Sequence, residues 1–115
     1  MTDIERLQQR LQEFADQRDW NQFHSPKNLA MALVVEAAEL AEHFQWLTQQ
    51  ESYELEAGKL EQVGEELADI FVYLVRLADR LGVDLPAAVD RKIALNEQKY
   101  PAERVRGSAR KYNEY

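Results

Sequence analysis

Apolar residues recur along this chain at three- and four-residue spacings, and no strand-like alternation bounded by turn residues appears, so the dominant period is helical. Thr2 followed by Glu5 has the form of a capping box, and Ile4, Leu7, Leu11 and Phe14 mark one face of a first helix that fades near Trp20. Ser25-Pro26 predicts a restart, with serine as N-cap and proline at the first helical position. Leu29, Leu33, Ala37, Leu40, Phe44 and Leu47 then predict a long second helix, with Trp46 in its last turn. The polar, acidic stretch 48–58 reads as a loop. A third helix carries Leu60, Val63, Leu67, Ile70, Phe71, Leu74, Ala78 and Leu81, with Gly82 as its stop. Asp84 can cap a fourth helix that ends before Pro101.

Four helices with short connections predict an all-α fold, an antiparallel four-helix bundle over residues 1–100. Residues 101–115, with Arg104, Arg106, Arg110 and Lys111 among tyrosines, are expected to form an extended tail. Val72 and Val75 lie away from the stripe through Leu67, Leu74 and Leu81. Apolar surface therefore extends around the third helix, which predicts burial against another subunit, as a homodimer or homotetramer.

Composition narrows the function. At 115 residues with 45% apolar content the chain is one globular domain. A formal charge of -7 argues against polymeric nucleic acid as a partner, though a small anion remains possible if cations offset the charge locally. With no cysteine there is neither a disulfide nor a thiolate metal site. The start, Met1-Thr2-Asp3-Ile4-Glu5, has no basic or apolar leader, and no apolar run would span a bilayer. A cytoplasmic protein without a membrane partner is the expectation.

Two acidic pairs, Glu36 with Glu39 and Glu66 with Asp69, have the i, i+3 spacing that puts both carboxylates on one helix face. Each pair borders its helix's apolar stripe, so antiparallel packing would bring all four to the edge of the core. Two like charges ~4 Å apart repel by roughly 4 kcal/mol at an effective dielectric of ~20. A hard divalent cation removes that penalty, and oxygen ligation suits magnesium or manganese. The competing reading of acidic residues on helices is a solvated face, which also accounts for Glu42, Glu51, Glu54, Glu56, Glu61 and Glu65.

Trp20 and Trp46, at helix ends, are either lids on the core or a π-stacking sandwich for a nucleobase. Tyr73 follows Asp69 by four residues and stands over the acidic pair. Lys92 and Asn96 repeat that spacing on the fourth helix, where a lysine could meet phosphate and an asparagine a base edge, or both could be plain exposed surface. His24 adjoins the Ser25 cap and reads as a local turn contact. No Ser/His/Asp grouping, P-loop or GxGxxG motif is present.

The four acids, Glu36-x-x-Glu39 and Glu66-x-x-Asp69, resemble the metal motif of the all-α MazG-like nucleoside triphosphate pyrophosphohydrolases. The likeness continues through Phe14-Ala15-x-x-Arg18-Asp19-Trp20-x-Gln22-Phe23-His24, Pro26-x-Asn28-Leu29 and Glu39-Leu40-Ala41-Glu42-x-Phe44-Gln45-Trp46. It extends to Val83-Asp84-Leu85-Pro86, Lys92-x-x-x-Asn96-x-x-x-Tyr100-Pro101 and Arg106-Gly107-Ser108-Ala109, and these segments look like dCTP pyrophosphatases.

The resemblance implies a mechanism. Glu36, Glu39, Glu66 and Asp69 would hold magnesium bridging the triphosphate. A metal-activated water, oriented or deprotonated by Glu39, would attack the α-phosphorus and release pyrophosphate. Trp20 and Trp46 would flank the pyrimidine, Tyr73 and Asn96 would position it, and Lys92 would meet the phosphates. The family usually assembles as a tetramer built from dimers. Some close relatives carry a histidine where this chain has Leu11, which puts the base preference in doubt. The alternatives are a broader pyrophosphohydrolase acting on dUTP, dTTP or modified bases, and an acidic helical interaction module without chemistry.

Overall fold

The computed structural model describes residues 1–110 and 112–114; Lys111, part of the expected tail, lies outside them. Among the described residues the fold is all-α, with four main helices: α1 (Asp3–Gln17), α2 (Pro26–Glu42), α4 (Ala57–Leu81) and α5 (Leu85–Lys99). Two shorter ones, α3 (Gln49–Ser52) and α6 (Ala102–Val105), lie between α2 and α4 and after α5. None is long and apolar enough to cross a membrane.

Local chemistry sets the helix starts. Thr2 Oγ1 accepts from Glu5 N at 3.1 Å, Ser25 Oγ from Asn28 N at 3.2 Å and Asp84 Oδ1 from Ala87 N at 3.1 Å. Each satisfies one of the amides a helix leaves unpaired. Gly82 ends α4 at φ 69, in the left-handed region where a side chain would be strained.

The second helix stops short of its expected end. α2 closes at Glu42, and residues 43–47 tighten into turns, with Phe44 N donating to Ala41 O and Leu47 N to Phe44 O. Phe44 and Leu47 keep a three-residue spacing in such turns, so periodicity alone extends the helix too far. Trp46 therefore sits beyond the helix. The expected loop 48–58 contains α3, closed by a reciprocal capping box between Thr48 and Glu51, and α4 already begins at Ala57. A four-residue helix is too short to show an apolar period. Nor is the segment after Pro101 wholly extended, since α6 and a 3₁₀ turn at Tyr112–Glu114 fall within it.

The chain forms two compact units, Met1–Gly82 and Val83–Tyr115. In the first, α4 packs against α2 and α1. Its contacts with α2 run antiparallel: Arg76 meets His24 just ahead of α2, whereas Lys59 meets His43 at its end. Ala15, Leu29, Val63, Val75 and Ala78 are the buried apolar residues. This corrects the expected core of α4. Val75, read as lying off the core stripe, is 0% exposed, whereas Leu60, Leu67, Leu74 and Leu81 stand at least 39% exposed. At 100° per residue these four, seven apart, share one face, and α2 and α1 cover another. The second unit holds α5 and α6, and α5 exposes Val89, Ile93 and Leu95.

Candidate active site

The acidic pairs converge in the first unit. One carboxylate oxygen each from Glu36, Glu39 and Glu66 lies within 4.8 Å of the others. Asp69 stands outside this closest group, and its charge still acts on Glu36. Glu36 Oε2 and Glu66 Oε2 are buried and accept no hydrogen bond from the protein. Buried carboxylate oxygens without donors are costly, and a cation is the partner that suits an acceptor-only group. The donor set, all oxygen and all anionic, fits a hard divalent ion.

Burial, then the neighbouring Glu39, Glu66 and Asp69, push the Glu36 carboxyl up to about 7 from the ordinary 4.5. Without metal, the folded protein thus keeps a proton that the unfolded chain sheds between those values. The resulting stability is fully present below pH 4.5 and is lost as pH rises through about 7. His24 acts in the opposite sense, because burial and the charges of Arg76 and Arg80 lower its pKa. A comparison with Glu36→Gln isolates the carboxylate. In EDTA the wild-type melting temperature should fall relative to the variant's between pH 5 and pH 8, and saturating magnesium should reverse this at pH 8. Parallel pH profiles for the two proteins would refute the coupling.

Behind Glu66, His43 Nε2 approaches Glu66 Oε1 at 3.9 Å while Lys59 Nζ meets His43 Nδ1 at 3.1 Å. A lysine ammonium has only donors, so Nδ1 is the acceptor in this contact and Nε2 is the ring atom that faces the carboxylate. Sixteen residues separate His43 from Lys59, and no spacing rule links them.

Asp69 and Tyr73 connect the cluster to a cleft of about 330 Å³. Leu11, Phe14 and Val72 give it apolar walls, and Trp20, His24 and Arg76 complete the lining. Burial, followed by the charges of Glu36 and Asp69, raises the Tyr73 phenol, which therefore remains a hydrogen-bond donor.

Trp20 reaches the cleft through the way α1 ends. Trp20 N donates to Ala15 O and Asp19 N to Asp16 O, a Schellman closure with Asp19 at φ 53. Aspartate tolerates that left-handed conformation better than most residues, and Gln22 Nε2 donates to both Asp19 O and Asp19 Oδ2. The reversal lays Trp20 edge-on to Phe14, 5.7 Å between ring centres.

The remaining expected residues are elsewhere. Trp46, in the turn after α2, is 86% exposed and is not part of the cleft wall, so within this unit only Trp20 offers the cleft a tryptophan face. Lys92 and Asn96 are exposed on α5, in the second unit.

Arg76 is the residue that sequence reading missed. It is 3% exposed and donates from NH1 to Gln12 Oε1 at 2.5 Å, from NH2 to Asn21 Oδ1 at 2.5 Å and from Nε to His24 Nδ1 at 3.3 Å. Its only legible signal was an arginine between the apolar residues Val75 and Leu77.

This all-α chain, with its clustered carboxylates beside an aromatic cleft, belongs to the MazG-like family, whose match covers residues 31–115. Over 116 aligned positions it is 49% identical to human dCTP pyrophosphatase 1 and 48% identical to the rat protein of that name, covering 99% of this chain in each case. The chain spans 66% of the length of these relatives. Among solved structures it is similar to a pyrophosphatase from Archaeoglobus fulgidus, with a TM-score of 0.83 and 41% identity over 88% of this chain and 94% of that one.

Proposed function

We propose that this chain hydrolyses dCTP to dCMP and pyrophosphate. The observation that carries the reading is the pair of buried, donorless carboxylate oxygens on Glu36 and Glu66, set beside an aromatic-walled cleft. The likeness to dCTP pyrophosphatases supplies the substrate. Glu36, Glu39, Glu66 and Asp69 would hold magnesium, or manganese in its place. When bound there, the ion neutralises triphosphate charge and lowers the pKa of water.

The chain's own residues divide the remaining work. Glu39, an exposed member of the cluster, orients the attacking water and takes its proton. The water attacks the α-phosphorus, and pyrophosphate leaves. Trp20 stacks on the pyrimidine and Tyr73 donates at the junction of cleft and cluster; for Lys92 and Asn96 the phosphate and base roles rest on the family resemblance alone. The helical portion 1–100 is the catalytic domain, working in the cytoplasm, and 101–115 is its tail.

Titrating magnesium while measuring pyrophosphate release from dCTP, dUTP, dTTP and modified dCTPs tests this. Release from dCTP should require the metal and exceed release from the others. Equal rates on all would favour the broader pyrophosphohydrolase, a reading with some footing in Leu11 lining the cleft where some relatives have histidine. No release from any substrate would leave the interaction module.

A homodimer or homotetramer is the proposed functional form, a reading supported by the exposed Leu60, Leu67, Leu74 and Leu81 on α4 and Trp46 after α2. Sedimentation at micromolar concentration should show no monomer. A fully active monomer would refute the assembly.

A further inference from the structure

His24 has no part in the mechanism above, yet it lines the cleft next to Trp20, the ring centres 6.2 Å apart and the planes at 65°. Arg76 Nε donates to its Nδ1 at 3.3 Å. A guanidinium has no acceptor, so Nδ1 must present its lone pair, and the proton of the neutral ring is then on Nε2. One turn further along α4, Arg80 Nε donates to the backbone carbonyl of His24 at 3.1 Å. Two arginines therefore hold the ring and the backbone of this one residue. The other two arms of Arg76 tie Gln12 on α1 and Asn21 beside Trp20, so the stacking platform and the histidine share one anchor.

With Nδ1 occupied, the polar atom left to His24 is the Nε2–H donor. Leu11, Phe14, Trp20 and Val72 make its surroundings mostly apolar. In such a cleft the few placed polar groups set specificity. A donor beside a stacking surface pairs with an in-plane acceptor of the stacked ring, and a pyrimidine offers its O2 carbonyl or, in cytosine, the unprotonated N3.

We infer that Arg76 is a positioning residue that fixes His24 as an Nε2–H donor to the acceptor edge of the bound pyrimidine. The inference rests on the reading that this cleft takes the base of a pyrimidine triphosphate.

The test combines ring-nitrogen NMR with steady-state kinetics of the full chain in saturating magnesium. Long-range proton–nitrogen spectra at pH 8 should show His24 with Nε2 protonated and Nδ1 bare. Arg76→Lys, unable to reach three partners at once, should release the ring into both tautomers. His24→Phe should lower kcat/KM for dCTP about tenfold to a hundredfold, carried by KM, as expected for a lost ground-state hydrogen bond. His24→Gln, which restores an amide donor, should recover most of that loss. A purely structural histidine would give two variants with lowered melting temperatures and wild-type KM. That result overturns the inference, as does a protonated Nδ1 in the wild type. A wild type that leaves dCTP intact would sink the substrate reading instead, and the ring spectra would still decide whether Arg76 sets the tautomer.

Discussion

Glu36→Gln should abolish pyrophosphate release from dCTP, by about a thousandfold or more, while the metal-free protein becomes more stable at pH 8. Both effects have one origin. Glu36 has a buried oxygen with no donor, and its carboxyl is pushed up to about 7 by burial and by Glu39, Glu66 and Asp69. Under the proposed function these charges would be the ion's partners. Losing one removes several kcal/mol of electrostatic stabilisation, and roughly 1.4 kcal/mol corresponds to a factor of ten in rate. Without metal the same charge only repels its neighbours, so a neutral amide relieves strain. Activity and apo stability should therefore move in opposite directions. Glu66→Gln should behave alike, since its Oε2 is also buried without a donor. Retained magnesium-dependent turnover in both variants would sink the metal assignment. A variant losing activity and apo stability together would point to a folding defect.

The second large effect concerns Arg76. Arg76→Leu should cost about 3 kcal/mol, in the range for breaking a buried charged network. At roughly 4–8 °C per kcal/mol for a small domain, that lowers the melting temperature by about 12–24 °C. The change deprives Gln12 Oε1, Asn21 Oδ1 and His24 Nδ1 of a donor together, and it unties α1 from α4. Asp16 depends on the same network, because Asn21 and Gln12 donate to it and hold its carboxyl below the usual range. Lys92→Ala, on an exposed face of α5, should shift stability by no more than about 0.5 kcal/mol and serves as the control. Thermal melts must be compared at one protein concentration, since association would itself raise the melting temperature. A loss below about 1 kcal/mol for Arg76→Leu would mean that water replaces the guanidinium at little cost.

What the sequence determined by itself is local. Ser25-Pro26, Asp84 ahead of Leu85-Pro86, and Gly82 specify helix ends through hydrogen bonds and backbone angles that span at most four residues. The i, i+3 spacing of Glu36 with Glu39 and of Glu66 with Asp69 likewise fixes each pair on one face before any packing occurs. Tertiary structure decided what depends on distant partners. Which face of α4 is buried was one such choice, because that helix carries apolar residues on more than one side and only contact with α2 and α1 selects Val63, Val75 and Ala78 over Leu60, Leu67 and Leu74. Trp20 and Trp46 look equivalent along the chain, yet a Schellman turn lays one into a cleft while the other stands in solvent beyond a helix that ends early. Arg76 with His24, and Lys59 with His43, lie 52 and 16 residues apart. A histidine's tautomer is set by whatever donor the fold places against it, and helical periodicity carries no information about that donor.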